Sequence, residues 1–105
     1  MKTSEIIKKQ IEGNAVILYM KGTPQFPMCG FSGAAVQALK RNDCEFSYVN
    51  VLENPRIREA LPEVSNWPTF PQLFVRGDLV GGADIVTSMD KSGELKAVLL
   101  AATKD

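Results

Sequence analysis

Lys21-Gly22-Thr23-Pro24-Gln25-Phe26-Pro27-Met28-Cys29-Gly30-Phe31-Ser32 joins an apolar run to a helical pattern and brings one cysteine to the start of the helix. A thiol in that position meets unpaired backbone N–H groups and the positive end of the helix dipole. Both favour thiolate, the nucleophilic and metal-ligating form. The spacing matches a Cys-x-x-Cys redox site except that the second position is Ser32. A serine cannot resolve a mixed disulfide from within the chain. The thiol therefore hands its bond to an outside thiol, holds a metal, or is inert.

Working outward from this loop, Ala15-Val16-Ile17-Leu18-Tyr19-Met20 is a short continuous apolar run with β-branched residues, the pattern of a strand buried on both faces. Before it, Ile6, Ile7 and Ile11 fall on one side of a helix from Ser4 to Glu12, which stops at Gly13-Asn14. After it, Phe31, Ala35, Val36 and Leu39 recur at helical spacing between Gly30 and Arg41, and Phe46 to Asn50 alternates as a second strand. Asn54-Pro55 reads as an N-cap before a first-turn proline, so a short helix is expected from Pro55 to Leu61, ended by Pro62.

Trp67-Pro68-Thr69-Phe70-Pro71 is a stiff turn with two prolines. Gln72 to Arg76 and Leu79-Val80 flank Gly77-Asp78, a two-residue hairpin signal. That turn accounts for the Arg76-Gly77-Asp78 tripeptide without any adhesive role. Gly81-Gly82 breaks the strand through close backbone approach or positive φ. Asp84 is a candidate N-cap for a helix from Ile85 to Asp90, and Glu94 to Ala102 forms a last helix burying Leu95, Val98 and Leu99. Strands joined across a helix are expected to be parallel. The result is an α/β chain with a four-stranded mixed sheet flanked by helices, a thioredoxin-like fold whose redox site lies where the exit loop of the first strand meets the next helix.

The 105 residues are expected to form one domain, 1–105, with 45% hydrophobic content. Twelve basic residues balance twelve acidic ones, so no net charge draws the chain to nucleic acid or an anionic membrane. No apolar run approaches a membrane span and the polar start lacks a signal-peptide core, which makes a cytoplasmic location the expectation. The absence of histidine excludes Cys-His and Ser-His-Asp catalysis and every His-ligated metal site. Cys44, following a helix, reads as a small buried hydrophobe.

Cys29-Gly30-Phe31-Ser32, Trp67-Pro68-Thr69-Phe70-Pro71 and Gly81-Gly82-Ala83-Asp84 together resemble the signature of the monothiol, CGFS-type glutaredoxins, bacterial single-domain type, over nearly the whole chain. The resemblance implies a groove for glutathione beside Cys29 and a cis bond before Pro71. Glutathione brings two carboxylates, an amine and a thiol. Lys21 and Arg58 are candidate partners for its carboxylates. Phe70 would pair through its backbone with the cysteinyl part, assisted by Thr69. Ala83 and Asp84, at a helix start, would take the γ-glutamyl end. Each has a plainer alternative: a solvated loop charge for Lys21, an exposed helix face for Arg58, a cap for Asp84 and packing for Trp67. Many relatives in this group carry cysteine where this chain has Ala83, which removes a second thiol near the site.

An ordinary [2Fe–2S] cluster needs four thiolates. Two Cys29 thiolates from a homodimer and two glutathione thiols complete that set, in agreement with what the resemblance implies. The expected function is storage, transfer or assembly of iron–sulfur clusters. The resemblance further implies apo iron–sulfur proteins as recipients and a BolA-type protein that stands in for one subunit. The alternative is a glutathione-dependent oxidoreductase acting through Cys29 as catalytic thiolate, with at most weak turnover if the carrier reading holds. A third is a noncatalytic interaction module.

Overall fold

The computed structural model describes residues 1–103 as five helices around one sheet: α1 (Thr3–Glu12), β1 (Val16–Met20), α2 (Gly30–Arg41), β2 (Ser47–Asn50), α3 (Pro55–Ser65), β3 (Gln72–Val75), β4 (Asp78–Gly81), α4 (Ala83–Ser92) and α5 (Glu94–Thr103). The strand order is β2-β1-β3-β4. β1 runs parallel to β2 and antiparallel to β3, and β3 is antiparallel to β4. This is the thioredoxin-like arrangement expected from the order of elements.

β1 explains why the layers form where they do. All five of its residues are buried, and they alternate between two cores. Val16, Leu18 and Met20 pack with α2, α4 and α5 through Val36, Leu39, Val86, Leu95 and Leu99. Ile17 and Tyr19 face the other way, toward Ile7 and Ile11 of α1 and Ile57 and Leu61 of α3. Truncating a fully buried leucine such as Leu18 to alanine would cost ~2–5 kcal/mol. Tyr19 packs edge-on against Phe74, ring centroids 5.7 Å apart, and its hydroxyl donates to Gln10 Oε1 at 2.8 Å. Burial pushes the Tyr19 phenol above its ordinary pKa.

Several local expectations need correction. α3 does not end at Pro62 but continues to Ser65, where Asn66 takes the left-handed conformation and its N–H returns to the Pro62 carbonyl. Proline there forfeits one intrahelical bond, and the turn beyond it is closed by the N–H groups of Asn66 and Trp67, which both donate to the Pro62 carbonyl. Asn54 stands at the cap position, but its side chain donates to the Asn50 carbonyl at 2.9 Å and closes no cap bond. The β3–β4 turn is Arg76-Gly77, both at positive φ, because Val75 pairs with Asp78; it is not Gly77-Asp78. Gly82 caps α4, leaving Asp84 inside its first turn. Ile6 is exposed, unlike Ile7 and Ile11.

Candidate functional site

The exit loop of β1 is a braced ribbon. Gly22 bridges Pro27, the N–H groups of Thr23 and Phe26 donate to the Phe26 and Thr23 carbonyls at 3.2 and 3.1 Å, and Met28 N–H donates to the Lys21 carbonyl at 2.9 Å. Two side chains pin it from outside. The Ser32 hydroxyl accepts from Lys21 N–H at 3.1 Å, and Asn50 Oδ1 accepts from both Gly22 and Leu52 N–H at 3.0 Å. Asn50 escaped the sequence reading, which took it only as the last residue of a strand. A polar residue closing a strand beside a loop short of partners was the available signal.

Cys29 lies at the cap position of α2 with extended backbone, and its carbonyl accepts from Gly33 N–H at 3.0 Å. The thiol is half-buried. Its pKa is lowered first by the Ser32 backbone N–H, against the opposing effect of burial, then by Phe31 N–H, the Ser32 hydroxyl and the charge of Lys21. Ionisation of the sulfur, not capping by the neutral thiol, is what these groups favour. Cys44 differs: its thiol packs against the core and its pKa is raised by burial and then by Glu45.

A cleft of about 710 Å³ opens beside the sulfur. It brings together every residue singled out from the sequence: Cys29 and Lys21 on one side, Arg58 of α3, Thr69 and Phe70 of the proline-rich turn, and Ala83 and Asp84 at the start of α4. The Phe70–Pro71 bond is cis. Among the described residues the one ion pair joins Arg41 to Asp90, so Lys21, Arg58 and Asp84 carry charges that no other side chain neutralises. Gly82 permits the start of α4 to approach this turn: a Cβ there would lie 3.3 Å from both the Pro71 carbonyl oxygen and Trp67 Nε1.

Phe31 is the misplaced residue of the sequence reading. Expected in the core at helical spacing, it is 62% exposed and lines the cleft beside Cys29. A second cleft of about 730 Å³ runs between α2 and α4 past Gly30, Ala34, Thr87 and Lys91, and it shares Cys29, Phe31, Ala83 and Asp84 with the first. The thiol thus stands on the rim between two clefts. Among the described residues no group of three or more cysteine, aspartate or glutamate side chains is placed to hold a metal ion. Cys29 is the one cysteine lining either of these clefts.

The family model described as Glutaredoxin matches residues 16–80. Glutaredoxin 4 from Buchnera aphidicola of Acyrthosiphon pisum is 53% identical over 104 residues, covering 99% of this chain and 96% of its own. Glutaredoxin 4 from Escherichia coli K12 is 55% identical over 97 residues, 92% of this chain and 84% of its own. Among solved structures, reduced apo GrxS14 from poplar superposes with a TM-score of 0.82 at 44% identity, covering 96% of this chain and 93% of its own.

Proposed function

The chain belongs to the glutaredoxin family and carries the Cys29-Gly30-Phe31-Ser32 site of its monothiol branch, and from that premise we propose that it binds glutathione in the cleft beside Cys29 and carries a [2Fe–2S] cluster between two copies of itself. The observation behind this reading is the site's single partly exposed thiol, with thiolate favoured, at the mouth of a cleft holding unneutralised charges of both signs. Lys21 and Arg58 suit the carboxylates of glutathione, Asp84 suits its ammonium, and the Phe70 backbone suits its cysteinyl amide. Four thiolates are then available only from two chains and two glutathiones.

The cluster in this reading is cargo. Half of its ligands are exchangeable small thiols, which suits delivery to apo iron–sulfur proteins, with a BolA-type protein in place of one subunit as a further partner. A cytoplasmic setting is part of the same proposal; no helix among the described residues is long and apolar enough to cross a membrane.

Anaerobic reconstitution with iron, sulfide and glutathione tests the proposal. Wild type and Cys44→Ser should turn brown and bind equal iron; Cys29→Ser, or omission of glutathione, should abolish both. A Cys29 variant with a full iron complement would overturn it.

The lowered pKa of Cys29 also favours a second reading. Cys29 thiolate attacks the glutathione sulfur of a glutathionylated protein and expels the protein thiolate. A second glutathione thiolate then attacks the mixed disulfide, freeing Cys29 and leaving glutathione disulfide. Brisk turnover of a glutathione mixed disulfide by a protein that forms no dimeric cluster would establish this alternative.

A further inference from the structure

Gln72, the first residue of β3, is fully buried, which is unusual for a glutamine. Its position has a chemical cause. The preceding turn contains Pro68 and Pro71, which have no N–H, so the turn holds more carbonyl acceptors than donors. The Gln72 amide supplies the deficit: Nε2 donates to the Trp67 carbonyl at 2.9 Å and to the Thr69 carbonyl at 3.2 Å. Two acceptors on one side fix which end of the amide faces the turn. Among the described residues Gln72 Oε1 has no partner, so the side chain is held there through its donors alone.

The second of these bonds sets the direction of a neighbouring group. The Thr69–Phe70 peptide is planar and trans, so its N–H and C=O point in opposite directions. Drawing the Thr69 oxygen inward to Gln72 turns the Phe70 N–H outward, on the side of the cleft that Thr69 and Phe70 line. Among the described residues none accepts from that N–H. We infer that Gln72 is a positioning residue of the cleft, which aims the Phe70 N–H at a ligand's amide carbonyl without touching the ligand. The inference rests on the reading of the cleft as a glutathione site.

Gln72→Met keeps length and approximate volume but removes both donors. Its affinity for reduced glutathione, measured calorimetrically on the apo protein, should fall about tenfold, the scale of one misaligned hydrogen bond. The pH dependence of Cys29 alkylation should not move, since the groups that tune that sulfur lie on α2 and at Lys21. A general loosening of the fold would move both. In wild type, adding glutathione should shift the Phe70 amide resonance strongly, and the Gln72 side-chain amide protons should exchange slowly. These wild-type measurements stand even if the variant fails to fold. Unchanged affinity in Gln72→Met, or glutathione binding that leaves the Phe70 amide unmoved, overturns the inference while the glutathione site survives. Failure of wild type to bind glutathione overturns both.

Discussion

The Ser32 hydroxyl accepts the Lys21 N–H at 3.1 Å, tying the first residue after β1 to the first turn of α2 across the whole site loop. Ser32 is completely buried. The side chain standing where a dithiol protein has its resolving cysteine is therefore a structural bracket, and its oxygen is already committed.

Ser32→Ala removes that acceptor and should destabilise the chain by ~1–3 kcal/mol through the stranded Lys21 N–H. The inflection in Cys29 alkylation with pH should rise only part of the way to that of an ordinary cysteine, because alanine retains the backbone N–H that contributes most to lowering it. Ser32→Cys should gain dithiol reductase activity and lose its cluster faster in air, since an internal disulfide consumes the ligating thiolate. Iodoacetamide kinetics and cluster-decay rates check both. An inflection in Ser32→Ala as high as that of Cys44 would show the hydroxyl to be the main influence.

Lys21→Ala and Arg58→Ala should each raise the glutathione concentration needed for half-maximal cluster assembly about two- to tenfold, or ~0.5–1.5 kcal/mol. The lower part of the range is expected for Arg58, which is exposed to solvent and more screened. Added salt should narrow the gap from wild type. Two unshifted midpoints would reduce both residues to surface charges.

Asp90 links α4 to α2. Its carboxylate meets Arg41 at 2.7 Å and accepts from Asn42 Nδ2 at 2.8 Å, and Arg41 first, then Asn42, holds its pKa below the usual aspartate range. A lowered folded-state pKa means that the stabilisation is fully present above the ordinary aspartate value near 4 and disappears as pH falls through the lower folded value. Asp90→Asn should melt earlier than wild type at pH 7, with the two curves converging in acid. Thermal scans across that range provide the test, and a constant gap at all pH values would remove the charge from the explanation.

Gly22→Ala should destabilise by ~1–3 kcal/mol. Gly22 has φ +96°, and a Cβ there would sit 2.5 Å from the Phe26 carbonyl oxygen and 2.6 Å from Met28 nitrogen. Chemical denaturation measures the cost, and the Cys29 alkylation profile should change with it because the ribbon's last bond, from Met28 N–H to the Lys21 carbonyl, lies one residue before that thiol. Wild-type stability in this variant would mean that the loop re-forms without its bridge.

The parts legible in sequence were those governed by periodicity. β1 could be recognised because a strand covered on both faces has no polar residue to obscure it, and α2 because glycine and asparagine bracket an apolar repeat. Pro62 misled because a proline removes one intrahelical bond without ending the helix when the N–H groups beyond it, here those of Asn66 and Trp67, find the Pro62 carbonyl. Phe31 misled because helical spacing says which face a ring lies on, not whether that face meets the core or opens on a cleft. The residues that converge on the cleft were found through motifs. Asn50, Ser32 and Gln72, which hold the backbone in place around it, act through hydrogen bonds between segments distant in sequence or hidden in the core, and of these only Asn50, a polar residue closing a strand beside the loop, left a local sign.

The cross-braced ribbon between Gly22 and Pro27 also bears on how quickly the sulfur can be engaged. A slack connection of that length would lose ~1–2 kcal/mol of backbone conformational entropy per residue on capturing a ligand. Here the ordering is complete when the chain folds. Whatever arrives at Cys29 meets a preorganised rim, so association should be governed by diffusion and orientation, with no slow rearrangement of the loop to wait for.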